Sequence, residues 1–195
     1  MKLMLDLGCG SGASMKRYKK KGFKTVGIDI EIESHSYSIL KAKKYGFILL
    51  SDARQLPFKD NIFDLISARY VLHHIPNGLN VIEEIKRCLK KDGLLELLES
   101  TENNTLLKYA RKIHHFFFKY LQNFQGEDVL CHFTYEDILE QLKKNNLKIV
   151  HYRRDKLFSF LPFLNNKFFR NLDNFIITFI GKNSCARCRL LIKKI

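Results

Sequence analysis

The chain predicts an α/β fold built on a doubly wound, mostly parallel sheet of seven strands. Three observations carry that prediction. An apolar run from Leu3 to Leu7 leads straight into a loop with glycine at every second position, Gly8, Gly10 and Gly12. A second apolar run, Val26-Gly27-Ile28-Asp29, ends on a carboxylate. From residue 3 to residue 99 strand-like runs alternate with helix-period segments, which is the pattern of parallel βαβ units.

Taken in order, Leu3, Met4, Leu5 and Leu7 suit a strand buried on both faces. Asp6 stands near its carboxyl end, where open α/β sheets place their ligands. The three glycines permit positive φ and leave backbone open to a bound molecule. The helix expected over residues 13–21 would aim its free N–H groups at an anion in that loop. The spacing is G-x-G-x-G with Ala13 following, not the G-x-G-x-x-G of a dinucleotide site. Asp29 is placed to accept hydrogen bonds from two ribose hydroxyls.

Next come a helix over 36–45, a third strand from Phe47 to Leu50, and Ser51-Asp52-Ala53 followed by Leu56-Pro57-Phe58. A fourth strand over 63–67 leads into Val71-Leu72-His73-His74-Ile75. A helix over 78–89 shows Leu79, Ile82, Ile85 and Leu89 on one face. The fifth strand, Leu94 to Leu98, ends at Glu99. In the second half, two aromatic stripes read as helices over 104–124 and 161–180. Between them Thr134 and Asp137 have capping-box spacing for a helix over 135–144. Residues 147–152 and 188–192 complete the strands.

A chain of 195 residues with 46% hydrophobic content fits one domain with an ordinary core. Five scattered cysteines, an odd number, suit a reducing compartment. Met1-Lys2 runs directly into the first strand, so no leader is expected and the expected location is cytoplasmic. The formal charge is +14. Residues 1–100 carry 17 Lys/Arg against 12 Asp/Glu, and residues 101–195 carry 17 against 8. Such an excess suits an anionic partner, nucleic acid or a lipid surface, and a lysine-rich solvated surface accounts for it equally well.

Asp6-Leu7-Gly8-Cys9-Gly10-Ser11-Gly12, Gly27-Ile28-Asp29, Ser51-Asp52-Ala53, Leu56-Pro57-Phe58, Phe63-Asp64-Leu65-Ile66 and Leu72-His73-His74-Ile75 occur in that order. This series resembles the motifs of class I S-adenosylmethionine-dependent methyltransferases, in the small-molecule and lipid group of type 11 enzymes. Leu89 to Leu95 adds the turn and strand that follow there, and the resemblance covers roughly residues 3–100.

The resemblance implies a Rossmann-like sheet whose last strand enters antiparallel beside the fifth, and S-adenosyl-L-methionine as cofactor. It places Gly8, Cys9, Gly10 and Gly12 at the methionyl part, with Asp6 near its amino group. Asp29 would hold the ribose, Asp52 with the Ala53 backbone would read the adenine edge, and Ile30 would pack on the ring. Backbone groups around Ser67 and Ala68 would complete the methionyl pocket. The expected organisation is one domain, with residues 1–100 as the cofactor half. Residues 101–195 would supply lid helices and the last two strands. The helices that precede the first strand in many relatives have no counterpart before Leu3, so 104–133 and 155–183 are the expected cover.

Methyl transfer is an in-line displacement in which a dry, shaped pocket and a held nucleophile supply most of the acceleration. A base is needed only for a hydroxyl or a protonated amine. The candidates are Tyr70, His73 and His74, with His73 or Tyr70 expected to face the acceptor. A small-molecule or lipid-like acceptor suits the aromatic stripes, whose basic flanks also suit an anionic membrane surface. Nucleic acid is not favoured: the site after the fourth strand reads Ser67-Ala68-Arg69-Tyr70, without a proline pair, and no Pro-Cys occurs. An RNA methyltransferase and an inactive cofactor-binding partner stand as alternatives. No metal is expected, because Cys185-Ala186-Arg187-Cys188 lacks a second ligand pair. Oligomeric state is not readable.

Overall fold

The computed structural model describes residues 1–30, 41–101, 133–155 and 187–195. Its strands are β1 (Leu3–Leu7), β2 (Lys24–Asp29), β3 (Phe47–Leu50), β4 (Phe63–Arg69), β5 (Leu89–Ser100), β6 (Leu147–Asp155) and β7 (Arg187–Lys194). The helices are α1 (Ala13–Lys19), α2 (Val81–Cys88) and α3 (Tyr135–Lys144), with single 3-10 turns at Leu72–His74 and Gly78–Asn80. All seven strands form one sheet in the order β3-β2-β1-β4-β5-β7-β6. The first five pair in parallel, and β7 runs antiparallel between β5 and β6. The expected architecture is thus present. Residues 36–40 of the helix expected over 36–45, and both aromatic stripes, lie outside the described residues.

β1 is the hub because it is apolar on both faces: Met4, Leu5 and Leu7 are all 0% exposed. Its order beside β2 and β4 brings Asp6 level with Gly27 on one side and Ser67 on the other. Gly27 is needed there. A Cβ at this position would lie 2.8 Å from the Cys9 Cβ and Sγ atoms and 2.9 Å from the Met15 sulfur, so only glycine lets the glycine loop and α1 close onto β2.

α2 buries Val81, Ile82, Ile85 and Cys88 against the sheet; of the apolar face read from its period, Ile82 and Ile85 lie in the helix, while Leu79 falls in the 3-10 turn before it and Leu89 opens β5. α3 is closed by the predicted capping box: the Thr134 hydroxyl accepts from the Asp137 N–H at 3.1 Å, and the Asp137 carboxylate accepts from the Thr134 N–H at 2.7 Å. At the end of β7, Lys194 donates to the Asn61 side chain and to the carbonyls of Lys86 and Leu89 at 2.7–2.8 Å. An ammonium on those last carbonyls ties β7 to the negative end of α2.

Several boundaries differ from expectation: α2 is shorter than the helix expected over 78–89, and β2, β4, β6 and β7 run two or three residues longer. α1 ends at Lys19, because the chain turns at Gly22 with φ 83°. β5 starts at Leu89 rather than Leu94. Leu89 pairs with Phe63 and Leu94 with Leu65, so the extra residues bulge out where Asp92 takes φ 61°. A local turn and a continuing strand coexist there. Among the described residues, no helix is long and apolar enough to cross a membrane.

Candidate active site

A cavity of about 600 Å³ opens at the carboxyl ends of β1, β2 and β4. Its first wall is the glycine loop. Gly8 has φ 60°, and a Cβ there would come within 2.7 Å of the Val71 side chain. The loop therefore touches the segment after β4 through bare backbone. Gly10 lines the cavity and has no heavy atom within 4 Å of where its Cβ would be, so its open side faces free space.

The second wall is acidic. Asp29 Oδ2 accepts from the Gly10 N–H at 2.9 Å, and Oδ1 from the Ile30 N–H at 2.9 Å. A carboxylate offers about four lone-pair sites, so acceptor capacity remains toward the cavity. The Ser51 N–H donates to the Asp29 carbonyl at 3.0 Å and joins the ends of β2 and β3. Asp52 folds onto its own loop: Oδ1 accepts from the Arg54 N–H at 2.8 Å, and Oδ2 from the guanidinium at 2.6 Å. Those two Arg54 bonds hold the Asp52 carboxyl below the usual range. Ile30 and Ala53 line the same side.

The third wall is the segment after β4, where Tyr70, Val71, His74, Ile75 and Pro76 meet the cavity. Tyr70 is left-handed at φ 55°, and its N–H donates to the Leu98 carbonyl at 2.8 Å.

Of the residues singled out by sequence, the structure brings Gly8, Gly10, Asp29, Ile30, Asp52, Ala53, Tyr70 and His74 onto the cavity. The other six lie behind its walls. Asp6 is 3% exposed and lies beneath the glycine loop, off the cavity lining. Burial pushes its carboxyl up to about 7, against the pull of the Ser14 and Ser67 hydroxyls, the nearby Arg69 and the Met15 N–H. Ser67 and Ala68 are 0% exposed, because β4 is flanked on both edges by β1 and β5. Gly12 caps α1 in the left-handed region and abuts Ala42.

Cys9 faces β2, its N–H donating to the Ile28 carbonyl at 3.0 Å. Burial, then the charges of Asp29 and Asp6, push its thiol up to about 12, which leaves it unreactive as a nucleophile. Of the pair expected to face the acceptor, Tyr70 lines the cavity, while His73 is 8% exposed with Nδ1 2.7 Å from Glu99 Oε2. His74 takes the cavity position instead.

Sequence reasoning missed Ile28, Ser51, Arg54, Val71, Ile75 and Pro76 on the lining. All but Pro76 are direct neighbours of residues that it did single out, and that adjacency was the available signal. Among the described residues no group of three or more His, Cys, Asp or Glu could hold a metal ion. Cys185 lies outside the described residues.

Comparison with known proteins places this geometry. Residues 5–97 match the family described as a methyltransferase domain. The ubiquinone biosynthesis O-methyltransferase of Actinobacillus pleuropneumoniae serotype 7 is 33% identical over 118 residues, covering 55% of this chain and 49% of that protein. The chain spans about half the length of the curated relatives it matches. Among solved structures, an S-adenosylmethionine-dependent methyltransferase from Methanosarcina mazei superposes with a TM-score of 0.66 at 21% identity, over 99% of this chain and 92% of that one. The geranyl diphosphate C-methyltransferase of Streptomyces coelicolor A3(2), in complex with Mg2+, geranyl diphosphate and S-adenosyl-L-homocysteine, gives 0.70 at 13% identity, over 100% and 73%. At those identities the structures establish the shared fold.

Proposed function

We propose that the chain, whose residues 5–97 match the methyltransferase-domain family, binds S-adenosyl-L-methionine and methylates a small-molecule or lipid-like acceptor. One observation carries the reading. Bare glycine backbone and two carboxylates, Asp29 and Asp52, line a single cavity; no lysine lines it among the described residues, and the Arg54 guanidinium on that lining is taken up by Asp52. That donor and acceptor set suits a nucleoside with an amino-acid tail and no phosphate. The open side of Gly10 leaves room that any larger residue would fill.

When bound, the cofactor supplies an electrophilic methyl on a sulfonium sulfur. Gly8 and Gly10 offer peptide backbone to its amino-acid end. Asp29, held by the Gly10 and Ile30 amides, accepts from the ribose hydroxyls. Asp52 and the Ala53 backbone face the adenine edge, with Ile30 against the ring. Asp6, Ser14 and Ser67 stay behind the loop and set its height over the sheet. Tyr70 and His74 border the acceptor end, where the His74 imidazole accepts a proton when the acceptor is a hydroxyl. Together these walls exclude water and hold the acceptor in line.

Residues 101–195 complete the domain in this reading, adding β6, β7 and the cover of the site. The relatives support the acceptor class, since one is named for ubiquinone biosynthesis and one structure holds geranyl diphosphate. The formal charge of +14 supports an encounter with such an acceptor at an anionic surface from the cytoplasmic side. The test is a transfer assay with cofactor labelled on the methyl group. Cell extract is the acceptor pool, separated afterwards into lipid, RNA, protein and small-molecule fractions. Label in the lipid or small-molecule fraction is the expected result. Label in RNA overturns the acceptor class, and cofactor binding without transfer to any fraction identifies an inactive partner protein.

A further inference from the structure

Glu99, at the end of β5, is a buried acid outside the cavity walls, 0% exposed. Its Oε1 accepts from the Val71 N–H at 3.0 Å and the Leu72 N–H at 2.8 Å, while Oε2 lies 2.7 Å from His73 Nδ1. All three partners belong to one short segment, the turn that carries Tyr70 on one side and His74 on the other. The preceding residue of β5, Leu98, accepts the Tyr70 N–H at 2.8 Å. Four consecutive residues, 70 to 73, therefore hang on the last residues of a neighbouring strand.

We propose that Glu99 is the positioning residue of the acceptor wall, fixing the His73 ring and, through it and the Val71 and Leu72 amides, the placement of Tyr70 and His74. The inference rests on the methyltransferase reading above and assigns its acceptor side. Three features support it. A carboxylate taken wholly out of water is costly unless every lone pair is used, and here both oxygens are spent on a single turn. Tyr70 holds a left-handed φ of 55°, a conformation that a bulky residue keeps only where its surroundings impose it. The His73 ring lies against that of His74, with centroids 4.1 Å apart and planes at 43°, so the orientation of the buried ring constrains the one on the cavity. With the carboxylate accepting, His73 Nδ1 is the donor, and in the neutral ring Nε2 is then the acceptor nitrogen.

Glu99→Gln tests the proposal in the full chain. The glutamine oxygen can still accept from both amides, but its NH2 group meets Nδ1 as a donor, so the His73 proton must move to Nε2. The expected result has three parts: inverted ¹⁵N ring signals for His73, altered ring signals for Tyr70 and His74, and unchanged calorimetric affinity for S-adenosyl-L-homocysteine. With the extract fraction that takes label from the wild-type protein as acceptor probe, kcat should fall by about tenfold or more, the scale of a misplaced reacting wall. Glu99→Gln with wild-type His73, Tyr70 and His74 signals overturns the proposal. So does an affinity for the homocysteine compound that falls in step with kcat, because the role would then be general support of the fold. Should Glu99→Gln not fold, His73→Asn leaves the amide bonds in place. Altered His74 signals then support the proposal, and wild-type signals overturn it. Wild-type protein that fails to bind S-adenosyl-L-homocysteine would instead overturn the methyltransferase reading, leaving the ring signals to judge Glu99 separately.

Discussion

Glu84 and Arg87, one turn apart on α2, meet through two hydrogen bonds of 2.8 Å and together grip the loop that follows β3. Glu84 accepts from the Leu56 N–H at 2.8 Å. Arg87 donates to the carbonyls of Leu56 and Phe58 at 2.9 and 2.7 Å and to Asp60 at 2.8 Å. The Leu56-Pro57-Phe58 motif is thus held by its backbone, and Asp52 and Ala53 reach the cavity from the same loop.

Arg87→Ala should lower unfolding free energy by about 2 kcal/mol, the scale of charged hydrogen bonds lost from partly buried acceptors. Arg87→Lys should recover less than half of that, because an ammonium cannot reproduce the planar fork. Urea unfolding of the three proteins checks both statements.

Asp29→Ala should weaken S-adenosyl-L-homocysteine binding by roughly 1–3 kcal/mol through lost charge-assisted hydrogen bonds. It also releases the Gly10 amide that Asp29 holds, so Asp29→Asn, which keeps an acceptor oxygen, should bind with intermediate affinity. Calorimetry on the set decides, and equal affinities would remove Asp29 from the ribose role.

Asp6 should make stability fall with rising pH. Its folded carboxyl titrates at about 7, against 3.8 for an aspartate in water, because burial disfavours the charge. Between those two values the folded state binds more protons than the unfolded one, so unfolding free energy declines as pH rises through that window. Asp6→Asn abolishes the titration. The stability of this variant relative to wild type should therefore increase across the same window, by a few kcal/mol in all, at about 1.4 kcal/mol for each tenfold fall in proton concentration. Parallel pH profiles for the two proteins would contradict the burial argument.

Thr134→Ala should cost about 1 kcal/mol, the usual loss when a side-chain helix cap is removed. Since α3 stands apart from the cavity, affinity for S-adenosyl-L-homocysteine should not change. Thermal unfolding and calorimetry together check the separation.

How far each feature could be read from the chain follows from the range of the forces behind it. The α3 cap was legible because Thr134 and Asp137 act within one turn, and residue spacing alone places them. The glycine loop was legible because its geometry excludes Cβ atoms, which leaves a compositional mark. The start of β5 was not, since Asp92-Gly93 is a local turn signal and only pairing between Leu89 and Phe63 carries the strand across it. Arg54 was missed because adjacency to Ala53 was its one signal, and only the folded loop shows its guanidinium on Asp52.

By itself, the order of strands, glycines and acids determined the fold class, the family resemblance and the half of the chain that holds the cavity. Those properties depend on backbone periodicity and steric permission, both written locally. Only the tertiary structure decided which of two adjacent histidines meets the cavity, and that Asp6 supports the loop from below. Those outcomes turn on Glu99 and Ser67, which lie 26 and 61 residues away along the chain and become neighbours only when β4 pairs with β1 on one side and β5 on the other.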